Sequence, residues 1–316
     1  MKPDDEILAV KAAELYFEEN KTQEEIASLL TITRWKVGRL LQAARDEGIV
    51  RIEIVHPRAR RLSVERKVTE RYGLADAVVV PSTQEDSESD IRERVAGAAA
   101  EYLQLLRPSV KTLGISWGRT LHEVANALPA GWGRNVSVVQ INGGVSVNKR
   151  SSSAAATAVM IATKASGTAT LLPSPAILDH EETKEAIVSD RTVASVLSAA
   201  RSADTYIYSA GAVDTDSVLV ESGYLSPADV STLVSKGAVA DVLGRFIDAD
   251  GHIIDPGLNR RTVGIDIADL KNCDRAIAVV SGLAKHDLCR TVVAAGLCTV
   301  IITDELTAQH LLEESP

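Results

Sequence analysis

From Gly73 onward, short continuous apolar runs alternate with segments of helical periodicity, and this alternation most restricts the fold. The runs read as strands at 77–80, 112–115, 136–140, 169–172, 205–208, 238–242, 276–280 and 299–302. Several are apolar at consecutive positions rather than at every second one, the pattern of strands covered on both faces. Helical segments intervene at 90–106, 121–128, 154–165, 182–198 and 227–235. Strand and helix in repetition predict an α/β domain, doubly wound, with a mostly parallel sheet. No internal repeat or low-complexity tract interrupts it.

The first quarter of the chain follows another pattern. Thr22 is a good N-cap, and Glu25 stands three residues on, as in a capping box. Ile26, Leu29 and Leu30 give an apolar face at helical spacing. Thr31 and Ile32 form a turn, and Thr33 caps a second helix whose Val37, Leu40 and Leu41 point inward. Arg34, Trp35, Lys36 and Arg39 are left outward near its start. Two short helices with this turn predict a helix-turn-helix, whose second helix presents its N-terminal residues to the major groove of DNA. Arginine pairs with guanine edges, and Arg or Lys contacts phosphates. Trp35 fits packing as well as it fits DNA contact.

A helix over 5–19, with Ile7, Leu8, Val10, Ala13, Leu15 and Tyr16 inward, completes a three-helix core. The alternating run at 50–55 reads as a strand-like wing, making the head a winged one. Arg58, Arg60 and Arg61 follow, on a solvated linker or against phosphate. The expected division is a DNA-binding domain at 1–56, a linker and connecting helix at 57–72, and an effector and oligomerisation domain at 73–316.

The net charge of −9 looks wrong for a DNA binder, but it is unevenly placed. Residues 1–71 hold 14 Lys/Arg against 13 Asp/Glu, and the remainder holds 20 against 30. A locally basic head on an acidic body suits a regulator better than a non-specific nucleic-acid coater. No apolar run is long enough to span a bilayer, and the acidic N-terminus is unlike a signal peptide, so a cytoplasmic protein without a membrane partner is expected. Cys273, Cys289 and Cys298 lack paired spacing and read as buried small hydrophobes. The six histidines form no pair at metal-ligand spacing; no metal and no cofactor are expected.

In parallel α/β sheets, ligands bind beyond the carboxyl ends of the strands. Three such ends carry suggestive residues. At Gly114, Ser116, Trp117, Gly118, Arg119 and Thr120 a strand runs through a glycine-containing loop into a helix. Backbone amides at the helix start, two hydroxyls and a guanidinium suit a phosphate; a tight turn without ligand is the alternative. At Gln140, Asn142, Gly143 and Gly144, two amides can meet sugar hydroxyls, although Asn-Gly-Gly is also a common turn. At Val280–Lys285, the lysine falls in the first turn of a helix, where it opposes the helix dipole unless an anion is present. Asp248 could accept bonds from a polyol or belong to an ordinary Asp-Gly turn.

The chain resembles the SorC family of bacterial transcriptional regulators. The resemblance rests on the head at 24–50, GISWGRTL, VVQINGGV, the run Val188-Ser189-Asp190-Arg191, DVLGRFIDADG, RTVGI and the final VIITDELTAQHLL. It implies a C-terminal domain related to phosphosugar isomerases, a phosphorylated sugar or similar small metabolite as effector, and a dimer or tetramer. Carried over by position, phosphate would sit against Ser116 to Thr120 and Lys285, and the polyol would face Gln140, Asn142 and Asp248. Leu283 stands where the family often has a glycine, and Arg119 where small or hydroxylated residues are common. Asn142 offers an amide, so a Schiff base with an aldehyde is not available there.

The expected function is a sequence-specific DNA-binding regulator of a sugar, polyol or nucleoside catabolic operon. Its partners would be double-stranded operator DNA, a small sugar phosphate, sugar or polyol, and further copies of itself, with no catalytic residues. The alternative is a phosphosugar isomerase or deaminase bearing a DNA-binding head, with Asp248 and His252 the nearest acid and base. A constitutive DNA-binding protein with a purely assembling large domain is a third possibility.

Overall fold

The computed structural model describes residues 3–50, 60–145 and 154–313. The chain forms two compact units, Met1–His56 and Pro57–Pro316.

The first unit holds α1 (Pro3–Phe17), α2 (Gln23–Leu30) and α3 (Arg34–Asp46). Thr22 caps α2 in a complete capping box: its Oγ1 accepts from the Glu25 amide at 3.3 Å, and its own amide donates to Glu25 Oε2 at 2.8 Å. Two backbone donors at the helix start are thereby satisfied. Thr31 ends α2 in the left-handed region, and Thr33 opens α3 by accepting from the Lys36 amide at 3.2 Å. The core is Ala9, Ala12 and Ala13 against Ile26, Val37, Leu40, Leu41 and Ala44. This departs from the expected faces. Ile7, Val10 and Leu29 point to solvent, because α1 presents its alanines, which let the helices approach closely. The strand expected at 50–55 falls, past Val50, outside the described residues, and so does Arg58.

The second unit contains β1 (Asp76–Val80), β2 (Thr112–Ile115), β3 (Ser137–Gln140), β4 (Thr168–Thr170), β5 (Thr205–Tyr208), β6 (Ala240–Val242), β7 (Arg245–Ile247), β8 (Ala276–Val279) and β9 (Val300–Asp304). Its helices are α4 (Leu62–Tyr72), α5 (Glu88–Leu105), α6 (Arg119–Ala127), α7 (Ala154–Lys164), α8 (Glu181–Ser189) and α9 (Arg191–Arg201). They continue with α10 (Val218–Glu221), α11 (Pro227–Ser235), α12 (Pro256–Arg261), α13 (Ile267–Lys271), α14 (His286–Ala294) and α15 (Glu305–Leu312).

Seven strands form one sheet in the order β1-β9-β8-β5-β2-β3-β4, and every pairing in it is parallel. Successive residues of a strand enter opposite cores. Ala77 and Val79 join α9, α14 and α15 on one face, while Val78 and Val80 join α5, α6 and α7 on the other. Burial on both faces explains why the strands read as unbroken apolar runs.

Two expectations need correction. The run at 238–242 is not an eighth strand of the sheet: β6 pairs antiparallel with β7 in a separate hairpin. The helix expected over 182–198 is two helices. Asp190 adopts an extended backbone and its Oδ1 accepts from the Thr192 amide at 2.9 Å, so the residue that interrupts the helix also caps the next.

The segment expected as a linker, α4, is part of the second unit. Arg60 makes a paired contact with the buried Glu65 carboxylate at 2.8 Å from both Nε and Nη2. Glu65 Oε1 also accepts from the Val79 amide at 2.9 Å. Arg61 Nε reaches Glu305 at 2.7 Å. These two arginines, expected on a solvated linker or against phosphate, fasten α4 to β1 and α15.

Candidate functional site

The chain order of the sheet reverses between β2 and β5. From β2 the strands step outward to β3 and β4; from β5 they step the other way through β8 and β9. The crevice beyond the carboxyl ends of two such strands is where open α/β sheets bind ligands. A cavity of about 340 Å³ lies there, walled by the loops after β2, β5 and β8. Its size suits a small metabolite.

The loop after β2 supplies Ser116, Trp117, Gly118, Arg119 and Thr120 to the wall. Gly118 sits at φ 135° as the N-cap of α6, with open space where a Cβ would project. Glycine is required there for its backbone conformation rather than for room. No side chain caps α6, so its first amides remain available to an anion.

The loop after β8 brings Ser281, Gly282, Ala284 and Lys285. Gly282 again has positive φ, and Lys285 ends a single 3₁₀ turn just ahead of α14. Burial pushes the Lys285 ammonium down to about 8, with Arg119 and Arg92 acting in the same direction. The loop after β5 contributes Ser209, Ala210, Gly211, Ala212 and Asp214. Asp241 of β6 completes that wall. Its backbone bridges Gly211, its Oδ1 accepts from the Gly244 amide at 2.7 Å, and burial raises its carboxyl to about 7.

The cavity therefore unites Ser116, Trp117, Gly118, Arg119, Thr120 and Lys285 from two distant segments. It does not include the remaining predicted residues. Gly114 lies inside β2, where a Cβ would fall 2.4 Å from Tyr206. Gln140 Oε1 accepts from the Leu172 amide at 3.2 Å, a bond between neighbouring segments. Asn142 is fully buried and donates to Ser116 Oγ at 3.1 Å, so it stands behind the cavity wall. A Cβ on Gly143 would meet the Pro175 carbonyl oxygen at 2.2 Å. Gly144 bonds through its backbone to Ser174 and accepts from the Tyr224 hydroxyl at 2.9 Å. Asp248 caps its own turn, accepting from the amides of Asp250 and His252 at 3.0 and 2.9 Å. Backbone bonds to those two residues hold its carboxyl below the usual range.

Arg92, Ser209, Asp214 and Asp241 line the cavity without having been expected. None sits in a motif with ligand-binding spacing, and only the strand order brings them to the site. Asp248, Asp250 and His252 gather on an exposed turn with ligand atoms within 4.8 Å of one another. Neither Asp248 nor His252 lines the cavity.

In the first unit, Arg34, Trp35 and Arg39 are exposed on α3, and Trp35 is 81% exposed. Lys36, expected outward with them, is held by Asp5 of α1 at 3.0 Å. Thr22 and Thr33 serve as helix caps.

A parallel α/β domain with a polar cavity at its chain reversal, preceded by a compact helical unit, is an architecture this chain shares with transcriptional regulators of sugar operons. The sugar-binding domain family matches residues 56–313, and this chain belongs to that family, within the SorC-type regulators. It is 30% identical to the deoxyribonucleoside regulator of Bacillus subtilis (strain 168) over 307 residues, 97% of each chain. It is also 30% identical to the erythritol catabolism regulatory protein EryD of Brucella abortus, covering 98% of this chain and 97% of that one. The full-length sorbitol operon regulator SorC of Klebsiella pneumoniae superposes with a TM-score of 0.74 at 27% identity, covering 97% and 98% of the two chains. Relatives matched over their whole length are transcriptional regulators, and this chain is a regulator rather than an enzyme.

Proposed function

We propose that the first unit is a helix-turn-helix that reads double-stranded operator DNA through α3, and that a small phosphorylated sugar bound in the cavity of the second unit sets its affinity. Arg34, Trp35 and Arg39 are the DNA-facing residues. Thr22 and Thr33 hold the two helices in register, and Lys36 is a secondary phosphate contact because Asp5 competes for it.

The observation that carries the effector reading is the convergence of Lys285, Arg119 and Arg92 on one cavity beside the uncapped start of α6. Burial, with Arg119 and Arg92 beside it, disfavours the charge on Lys285, and a phosphate dianion relieves that. Asp241, Asp214 and Ser209, which line the same cavity, accept from sugar hydroxyls. Gln140, Asn142, Gly143 and Gly144 support the wall without touching the ligand. Asp248 takes no part.

The regulator acts as a homo-oligomer in the cytoplasm, where its DNA is. Effector binding favours one arrangement of the oligomer and so shifts the spacing of two α3 helices across neighbouring half-sites. The test is a gel shift with the gene's own upstream DNA, repeated with pentose and hexose phosphates and the corresponding free sugars. A sequence-specific complex that responds to a phosphorylated sugar, and fails to respond in Arg119→Ala, is expected. A complex indifferent to every sugar phosphate would overturn the effector reading.

A further inference from the structure

A second, smaller cavity of about 160 Å³ lies on the other side of the β6–β7 hairpin. Lys184, Arg201, Arg245, Asn259, Arg260 and Asp266 line it. Three of its cations face carboxylates: Arg260 meets Glu181 at 2.7 Å, Arg245 meets Asp266 at 3.2 Å and Arg201 meets Asp269 at 3.7 Å, the first and last of these arginines being exposed.

Arg245 differs from them. It is only 3% exposed, and burial disfavours its charged form. Its Nη2 reaches Asp266 at 3.2 Å and its Nη1 reaches the Leu243 carbonyl at 3.3 Å, both at the long end for a charge-assisted bond. Its Nε has no partner among the described residues. Asn259 Oδ1, in the same cavity wall, is also buried and also without a partner. Leaving a buried donor on a cation and a buried acceptor unsatisfied is costly. One group that accepts from Arg245 and donates to Asn259 would satisfy both. A water does so, but four cations line the cavity against the one carboxylate of Asp266, and that charge favours hydrogen phosphate, whose P–O⁻ oxygens accept and whose P–OH donates.

We propose that this cavity is a second binding site, for a small tetrahedral oxyanion of the inorganic phosphate class. It lies below the volume range of sugar-sized pockets, so a phosphosugar is excluded by space. The site does not depend on the reading of the larger cavity. The two are nevertheless joined by one short turn. Asp241 and Leu243 line the first cavity, Arg245 lines the second, and the intervening Gly244 donates to Asp241. An anion that fixes Arg245 therefore fixes the wall carrying Asp241, and reciprocity makes occupation of either cavity change the affinity of the other.

The test uses the full chain in phosphate-free buffer, with the first cavity disabled by Arg119→Ala together with Lys285→Ala. Isothermal titration with sodium phosphate, against sodium chloride at equal ionic strength, is expected to show one remaining site per chain. Asn259→Asp places a carboxylate against the anion, and Lys184→Glu reverses a charge on the wall. Both avoid removing the buried arginine, and each is expected to weaken phosphate at least tenfold. Loss of all phosphate binding when the first cavity is disabled would overturn the proposal. So would binding that survives Asn259→Asp and Lys184→Glu unchanged.

Discussion

Lys285 Nζ donates to the Ala210 carbonyl at 3.0 Å, tying the end of β8 to the end of β5. The ammonium that faces the cavity is thus already oriented before a ligand arrives. With an anion as the proposed ligand, its lowered proton affinity makes binding dependent on pH.

The free Lys285 titrates near 8, and a bound phosphate raises that value. Below pH 8 the lysine is charged in both states, and affinity is unaffected by it. Above pH 8 binding must take up a proton, so affinity falls by up to about tenfold per pH unit toward pH 10. Calorimetry of sugar-phosphate binding in buffers of different ionisation enthalpy would read the uptake. Lys285→Arg, which stays charged, is expected to bind with a flat profile over the same range.

Asp241 adds a pH dependence of the same sign at lower pH, in stability rather than binding. Burial raises its carboxyl from 3.8 to about 7, so its folded form holds a proton that the unfolded chain releases. Its contribution is fully present below pH 4 and is lost as pH rises through 7. Asp241→Asn can keep the bond from the Gly244 amide without acquiring the charge. Urea unfolding should show the variant more stable than the parent at pH 8, on the order of 1–3 kcal/mol, and nearly equal to it at pH 4.

Gly143 separates a ligand contact from a packing requirement. A Cβ there would lie 2.2 Å from a backbone oxygen, which cannot swing away as a side chain would. Gly143→Ala should destabilise the ligand-free protein by about 1–3 kcal/mol, visible as a lower melting temperature without any sugar present. Unchanged stability with lost effector response would return Gly143 to the binding site.

Trp35 and Thr22 test the head in complementary ways. Trp35 is almost wholly exposed, so Trp35→Ala should leave stability within about 0.5 kcal/mol while weakening operator binding. Thr22→Ala removes the cap of α2 and should cost about 1 kcal/mol, with DNA affinity falling only as the head unfolds. Bonds from Thr22 hold the Glu25 carboxyl below its usual range, so the capping box weakens as pH falls through the carboxylate range. Circular dichroism and gel shifts on the same samples separate the two effects.

The sequence was most legible where local chemistry decides. Strands β2 and β5 and helices α4 and α11 fall where apolar runs and caps place them, because burial on both faces and N-capping are written in consecutive residues. The break at Asp190 was also written there, as a capping residue within an apolar pattern, but helical periodicity on both sides concealed it. β6 has the composition of a sheet strand, and only tertiary pairing with β7 takes it out of the sheet.

The site divided along the same line. The turn after β2 and Lys285 declare themselves through glycine and a lysine set against a helix dipole. Arg92, Asp214 and Asp241 become neighbours of that turn only through strand order, which no single stretch encodes. Gln140 and Asp248, expected to face a polyol, do not line the cavity. A polar side chain near a strand end also serves to satisfy nearby backbone amides, and both do so.

The pairing of β1 with β9 carries a consequence for synthesis. Among the described residues β1 bonds to no other strand, and its partner begins 220 residues after Val80, at Val300. As the chain leaves the ribosome, the run from Ala77 to Val80 waits for this partner until Val300 and its neighbours have been made. A nascent chain interrupted before Val300 exposes that edge, so quality control meets truncated copies as unfinished sheets.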